Sequence, residues 1–168
     1  MTRAIMIAAP RSGGGKTTTT LGLLAALRGR NIAVQAAKTG PDYIDPAFHE
    51  VVTGRSSLNL DSWAMTPSLL ETMLARSAEG ADLLVVESAM GLFDGLLGPE
   101  KSRGAPSDIA ARFDIPVVLV LDISGQGQSA AALAHCFATL DPDVRVAGVV
   151  LKQVASHRHL CMAREAVL

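Results

Sequence analysis

Five short runs of Ile, Val, Leu and Ala punctuate the chain, at Ala4 to Ala9, Ile32 to Lys38, Leu83 to Glu87, Val117 to Asp122 and Val146 to Leu151. Little polar alternation interrupts them, so each reads as a strand buried on both faces of a parallel sheet. Between them the spacing turns helical. Leu21, Leu24 and Leu27 recur at helical intervals over Lys16 to Arg28, ahead of a stop at Gly29. Thr66 and Pro67 suit the N-cap and first position of a helix that carries Leu69, Leu70, Met73 and Leu74 and stops at Gly80. Further helices are predicted over Ser107 to Phe113, over Ser129 to Leu140, and from His157 through Leu160, Ala163 and Val167. The alternation predicts an α/β fold, a mostly parallel sheet with helices on both faces and right-handed crossovers. The turn-rich stretches, Thr39 to Ser62 and Gly91 to Ser107, both follow strands, where such sheets carry their sites.

Composition narrows the class. Of 168 residues, 49% are apolar and 18% charged, so the chain is not disordered, and residues 1–168 read as a single domain. A fold of this length buries about 68–70% of its unfolded surface, enough for a core without disulfides or metal staples. With six aromatic residues, that core is expected to be aliphatic. Fifteen basic against sixteen acidic side chains give a net charge of −1, so no sequence-wide field points to nucleic acid, and any anion site is local. The first apolar run ends at Ala9 before a proline and glycines, too short for a signal peptide or a membrane span. Cys136 and Cys161 lack disulfide spacing and read as free thiols of a cytoplasmic protein, with Cys136 in the core.

The segment Pro10-Arg11-Ser12-Gly13-Gly14-Gly15-Lys16-Thr17 follows the first strand and opens the first helix, as a phosphate-binding loop does. Glycines there admit positive φ and bring backbone N–H groups to phosphate oxygens at a helix N-terminus. Lys16 is placed to bridge the outer phosphates of ATP, and the Thr17 hydroxyl to ligate Mg2+. Ser12 to Thr18 lie along the expected cradle, although Thr18, Thr19 and Thr20 suit a helical turn better than ligation. The pattern departs from G-x-x-x-x-G-K-[ST] at Pro10, and Arg11 suits a γ-phosphate contact and a solvated loop residue equally.

Carboxylates gather at the strand ends. Glu87 closes an apolar run, where an unpaired charge is costly, so a cation partner is expected. Asp42 and Asp45 lie three apart in an acidic turn suited to Mg2+ or to positioning a nucleophile, with an Asx-turn cap as the alternative for either. Asp94 returns to the same sheet edge and equally fits an N-cap or turn. Asn59, Asp61 and Trp63 look like substrate contacts, with Trp63 as partial core the equal alternative. His49 reads as a substrate or loop hydrogen-bonder rather than a base. His157, His159 and Cys161 read as a cap and solvated face, since one helix cannot converge three zinc ligands.

Three segments then carry a resemblance: Gly40-Pro-Asp-Tyr-Ile-Asp-Pro-Ala-Phe-His49, Asn59-Leu-Asp-Ser-Trp63 and Met90-Gly-Leu-Phe-Asp-Gly95. They resemble the N-terminal synthetase domain of the cobyrinic (or hydrogenobyrinic) acid a,c-diamide synthases, over essentially the whole chain. The resemblance implies a P-loop NTPase of the dethiobiotin-synthetase-like type, and ATP-dependent amidation of the a and c carboxylates of a corrin through acyl phosphates, in cobalamin biosynthesis. It implies phosphate binding by Gly13, Gly15, Lys16 and Thr17, Mg2+ at Thr17, Asp45 and Glu87, and Asp42, Tyr43 and Asp94 acting near the corrin carboxylate, with Lys16 also catalytic. Gln153, displaced from a family Asn that reads adenine, is expected to contact the base. Ser88 stands where the family usually has Gly, and Ala105-Pro106-Ser107 replaces a Ser-Thr-Ala-like run. Ammonia in the family comes from a C-terminal glutamine amidotransferase domain, which is absent here, so the chain is expected to be a truncated piece that also loses a closing strand after Leu168. The competing expectations are a partition-type regulatory ATPase that dimerises over ATP through Arg11, and a fragment that holds nucleotide without turnover; a homodimer stays open.

Overall fold

In the computed structural model, which describes residues 3–98 and 101–168, twelve elements alternate along the chain. They run β1 (Arg3–Ala8), α1 (Lys16–Arg28), β2 (Val34–Thr39), α2 (Ile44–Thr53), β3 (Leu58–Leu60), α3 (Pro67–Ala78), β4 (Leu83–Glu87), α4 (Pro106–Arg112), β5 (Val117–Asp122), α5 (Ala130–Thr139), β6 (Val146–Lys152) and α6 (His157–Val167). The strands form one parallel sheet in the order β3-β2-β4-β1-β5-β6. Chain order reverses across β1, so the loop that leaves β1 opens at a crevice between diverging connections.

The apolar runs become strands because both their faces find cover. Met6 and Ala8 of β1 pack with Leu84 and Val86 of β4, Leu70 of α3 and Ile109 of α4 on one face. Ile7, Val85 and Ala36 pack with Leu24 of α1 on the other. Leu119 and Leu121 join Ala130, Ala134 and Ala163 in a third cluster under α5 and α6. Thr66 caps α3 by accepting from the Leu69 N–H, with Pro67 in the first turn where it forfeits no helical bond. Among the described residues no helix is long and apolar enough to cross a membrane.

Two expectations change. The stretch Thr39 to Ser62, read as turn-rich, contains α2 and the short strand β3. The segment predicts a turn because Pro41 and Pro46 flank two aspartates, yet Pro46 falls in the first turn of α2, where its missing N–H has no intrahelical partner to lose. Cys136, read as core, is exposed, because α5 turns Ala130 and Ala134 inward instead. Leu84→Ala opens the centre of the sheet and is expected to cost about 2–5 kcal/mol in urea unfolding with the m-value unchanged.

Candidate functional site

The loop between β1 and α1 is shaped by its glycines. Gly13 and Gly15 have φ of 71° and 86°, and a Cβ on Gly14 would come within 2.9 Å of the Ala9 Cβ. The first bond at the start of α1 runs from Thr19 N–H to Gly15 O, so the N–H groups that open the helix point out toward the loop. The cradle therefore presents donors at a helix N-terminus, which fits a phosphate group. Lys16 is buried and donates to the carbonyl oxygens of Arg11 at 3.1 Å and Met90 at 2.6 Å. Burial, then the nearby charge of Lys38, pulls its pKa below the usual lysine value. Met90 reaches this position with φ at 45°, and the loop after β4 docks on the phosphate loop through Leu92 N–H to Ala9 O at 2.9 Å.

Beside the loop lies an ionic centre that parallel register dictates. Lys38 of β2 and Glu87 of β4 are paired neighbours, and both point to the face that α1 and α2 cover. The Lys38 ammonium hydrogen-bonds Asp45 and lies 3.1 Å from Glu87 Oε1, 3.4 Å from Ser88 O and 3.8 Å from Asp42 Oδ2. Thr17 of α1 donates to the same Glu87 Oε1 at 2.6 Å and sits 3.5 Å from Asp45 Oδ2. The other oxygen of Glu87, Oε2, lies 2.7 Å from His49 Nε2. Asp45 and His49 are one turn apart on α2, so this one helix brings both to the centre.

Burial alone pushes the Glu87 carboxyl up. The hydrogen bond from His49, the charge of Lys38 and the hydrogen bonds from Thr17 and Lys38 outweigh it and hold the pKa at about 2. Thr17, Asp45 and Glu87 thus converge as hard oxygen donors around a point already held by a cation, a set that fits Mg2+. Among the described residues no three His, Cys, Asp or Glu side chains form a metal cluster on their own. A Mg2+ site that draws its remaining ligands from phosphate and water needs no such cluster.

The cleft around this centre has a volume of about 550 Å³ and is lined by Ser12, Thr18, Asp42 and Ala89 besides the groups above. Two larger grooves, of about 820 and 750 Å³, lie away from it under α3 and beside β6 and gather no comparable ionic centre. Asp42 accepts from the N–H groups of Ile44 and Asp45 at 2.8 and 3.2 Å, so it caps α2 while flanking Lys38. Tyr43 is 85% exposed beside it. Asp94 is exposed and closes a turn by accepting from Gly91 N–H at 2.9 Å, where any Cβ on Gly91 would collide with it. Gln153 is exposed, at φ 57°; it is the preceding Lys152 whose side chain lies where a Cβ on Gly15 would stand. Ser88 is buried with its Oγ unpartnered among the described residues.

Several polar groups turn out to serve the loops. Asn59 donates to Asp42 O at 2.8 Å, and Asp61 accepts from Trp63 and Ala64 N–H, so both brace backbone rather than present themselves as substrate contacts. Trp63 is 65% exposed instead of partial core. Ser156 caps α6 as expected, whereas His159, read as part of a solvated face, is half-buried and bonds Ala155 N–H and Gln126 O, which joins α6 to the loop after β5. Lys38 is the group that sequence reasoning passed over at the centre, while His49, read as a substrate or loop hydrogen-bonder, is fully buried and bonds the Glu87 carboxylate instead. A charged residue near the end of an apolar run was the available signal for Lys38.

Strand, phosphate loop, helix and an acidic strand end in one parallel sheet define a P-loop nucleotide-binding domain. The chain belongs to the family described as the CobQ/CobB/MinD/ParA nucleotide binding domain, which matches residues 5–167. It is 54% identical over 165 residues to hydrogenobyrinate a,c-diamide synthase of Mesorhizobium japonicum, covering 98% of this chain and 38% of that protein. The synthase of that name in Rhodobacter capsulatus is 56% identical over 163 residues, 96% of this chain and 37% of that protein. The chain therefore spans a little over a third of the length of these curated relatives. Among solved structures, chloroplast FtsY from Physcomitrella patens aligns with a TM-score of 0.63 at 22% identity, over 99% of this chain and 53% of that one. The hydrogenase maturation factor HypB from Archaeoglobus fulgidus aligns with 0.55 at 14%, over 99% and 73%. These last two share the fold alone.

Two outcomes follow from the ionic centre. The folded pKa of Glu87 lies below its ordinary value of 4.5, so its stabilisation is present above that value and is lost as pH falls toward 2. Urea unfolding between pH 6 and 3 is expected to show stability falling with pH, and Glu87→Gln to flatten part of that slope. Lys38→Met leaves buried carboxylates without a counter-ion and is expected to cost about 3–5 kcal/mol. Added Mg2+ recovers part of the loss in thermal melts, whereas Na+ at equal ionic strength does not.

Proposed function

We propose that this chain is the ATP-binding synthetase part of an enzyme that amidates the a and c side-chain carboxylates of a corrin. The identity of 54% across 98% of the chain to named hydrogenobyrinate a,c-diamide synthases carries the reading. The site geometry supports it from the chemical side. In this reading the N–H groups of the phosphate loop and Lys16 hold the outer phosphates, while Thr17, Asp45 and Glu87 take Mg2+, which supplies charge neutralisation at the phosphates when bound. A corrin carboxylate oxygen attacks the γ-phosphorus, ADP leaves, and ammonia then displaces phosphate from the acyl phosphate to give the amide. Two anions must be brought together in the first step, and the ammonium groups at the phosphate loop lower that cost.

Asp42, Tyr43 and Asp94 are assigned to the substrate side: Asp42 lines the cleft, and Tyr43 and Asp94 stand outside its lining on the exposed loops after β2 and β4. Exposed apolar side chains on these and the adjoining loops, among them Tyr43, Trp63, Met90 and Leu97, suit the apolar framework of a macrocycle. Ammonia is supplied by a glutaminase domain outside these residues. The enzyme works in the cytoplasm, where free thiols such as Cys136 and Cys161 stay reduced.

ADP release measured with hydrogenobyrinate and ammonium chloride tests the proposal. Release that requires the corrin acid supports it. Hydrolysis indifferent to the corrin points to a regulatory ATPase switch, and nucleotide binding without release to a holding role. Glu87→Gln is expected to lower corrin-dependent release by well over tenfold, more than about 1.4 kcal/mol of barrier, while nucleotide still binds.

A further inference from the structure

We propose that His49 is a positioning residue for the cation site: it holds one oxygen of Glu87 so that the other alone faces Thr17, Lys38 and the phosphate loop. The inference rests on the reading above, in which Thr17, Asp45 and Glu87 take the divalent cation. His49 has no exposed surface, and a buried imidazole is tolerated when both ring nitrogens have partners. Here Nε2 lies 2.7 Å from Glu87 Oε2 and Nδ1 lies 3.1 Å from Ser57 Oγ. An ionised carboxylate only accepts, so Nε2 donates to Glu87, while Nδ1 and the Ser57 hydroxyl bond each other. The ring plane is set from both sides.

Ser57, His49 and Glu87 form a row that looks like a nucleophile relay, but neither His49 nor Ser57 lines the cleft, and His49 has no exposed surface for a substrate to meet. What the row does is mechanical. Among the described residues Oε2 of Glu87 has no other hydrogen-bond partner, whereas Oε1 is shared by Thr17 and Lys38. A carboxylate free to rotate would offer either oxygen, or both, to a cation. Tied at Oε2, it offers one, which suits the compact octahedral shell of Mg2+. Because His49 follows Asp45 by one helical turn, α2 delivers one candidate ligand and orients another, and Ser57, just before β3, fixes the helix-borne imidazole to the sheet edge.

The test is calorimetric ADP binding in EDTA and across a Mg2+ series, with wild type, His49→Leu, His49→Gln, Ser57→Ala and Glu87→Gln. His49→Leu is expected to raise the Mg2+ concentration for half-maximal effect about tenfold. ADP affinity in EDTA should stay within roughly twofold of wild type. His49→Gln, whose amide N–H reaches near the place of Nε2, restores most of the Mg2+ response, and Ser57→Ala shifts it in the same direction by less. A folded His49→Leu with an unchanged Mg2+ requirement overturns the proposal. So does equal loss of affinity with and without Mg2+, which marks a packing defect. If His49→Leu does not fold, Ser57→Ala decides, and no shift there overturns it. Should Glu87→Gln leave the Mg2+ requirement unchanged, the cation-site reading itself is wrong and the role of His49 falls with it.

Discussion

Glu87 is a carboxylate with no exposed surface at the end of a central strand, and the surrounding architecture is arranged to make that tolerable. An unpaired buried charge costs several kcal/mol, so it persists only where opposite charge and hydrogen bonds reach it from fixed elements. Three segments supply them. Lys38 arrives by strand register, Thr17 from the first turn of α1, and Asp45 and His49 from α2, with Asp45 reaching Glu87 through Lys38. Each is fixed by its own packing: Leu24 seats α1 on the sheet, and Val52 packs α2 against the same cluster. The position of one carboxylate thus depends on the placement of α1, α2, β2 and β4 together.

That dependence explains why the phosphate loop and the acidic groups share one edge of the sheet. All six strands run parallel, so every strand end with a free C-terminal loop lies on the same side. Ser88 N–H binds Ile7 O and Leu92 N–H binds Ala9 O, stitching the segment after Glu87 onto the strand that leads into the phosphate loop. Lys16 completes the join through the Met90 carbonyl. A displacement of the loop after β4 would therefore move both the phosphate-binding lysine and the carboxylate.

The hydrophobic pattern was enough to place five of the six strands and the helices α1 and α3 to α6, because continuous apolar runs and helical spacing are local signals. β3 escaped as a three-residue edge strand, too short for any period to show. α2 escaped for a more instructive reason. Asp42, Pro46 and the glycine at 40 carry turn chemistry, and in the fold that chemistry starts a helix: Asp42 caps it and Pro46 sits where no N–H is needed. Missing the helix hid the one-turn relation between Asp45 and His49. Thr17 and Glu87 were legible as neighbours from the phosphate loop and the strand end, whereas the residues left Asp42 and Asp45 undivided, and it is α2 that turns Asp45 toward Thr17 and Lys38. Lys38 was not, since a lysine closing an apolar run finds its meaning only once β2 is laid beside β4.

A net charge of −1 over the whole chain says little about this centre. Locally, two ammonium groups, Lys16 and Lys38, face three carboxylates, Asp42, Asp45 and Glu87, leaving an excess of one negative charge. The two lysines thus nearly offset the three carboxylates. Lys38 keeps that balance: its ammonium stands among the carboxylates, holding together groups that would otherwise repel one another at the strand end.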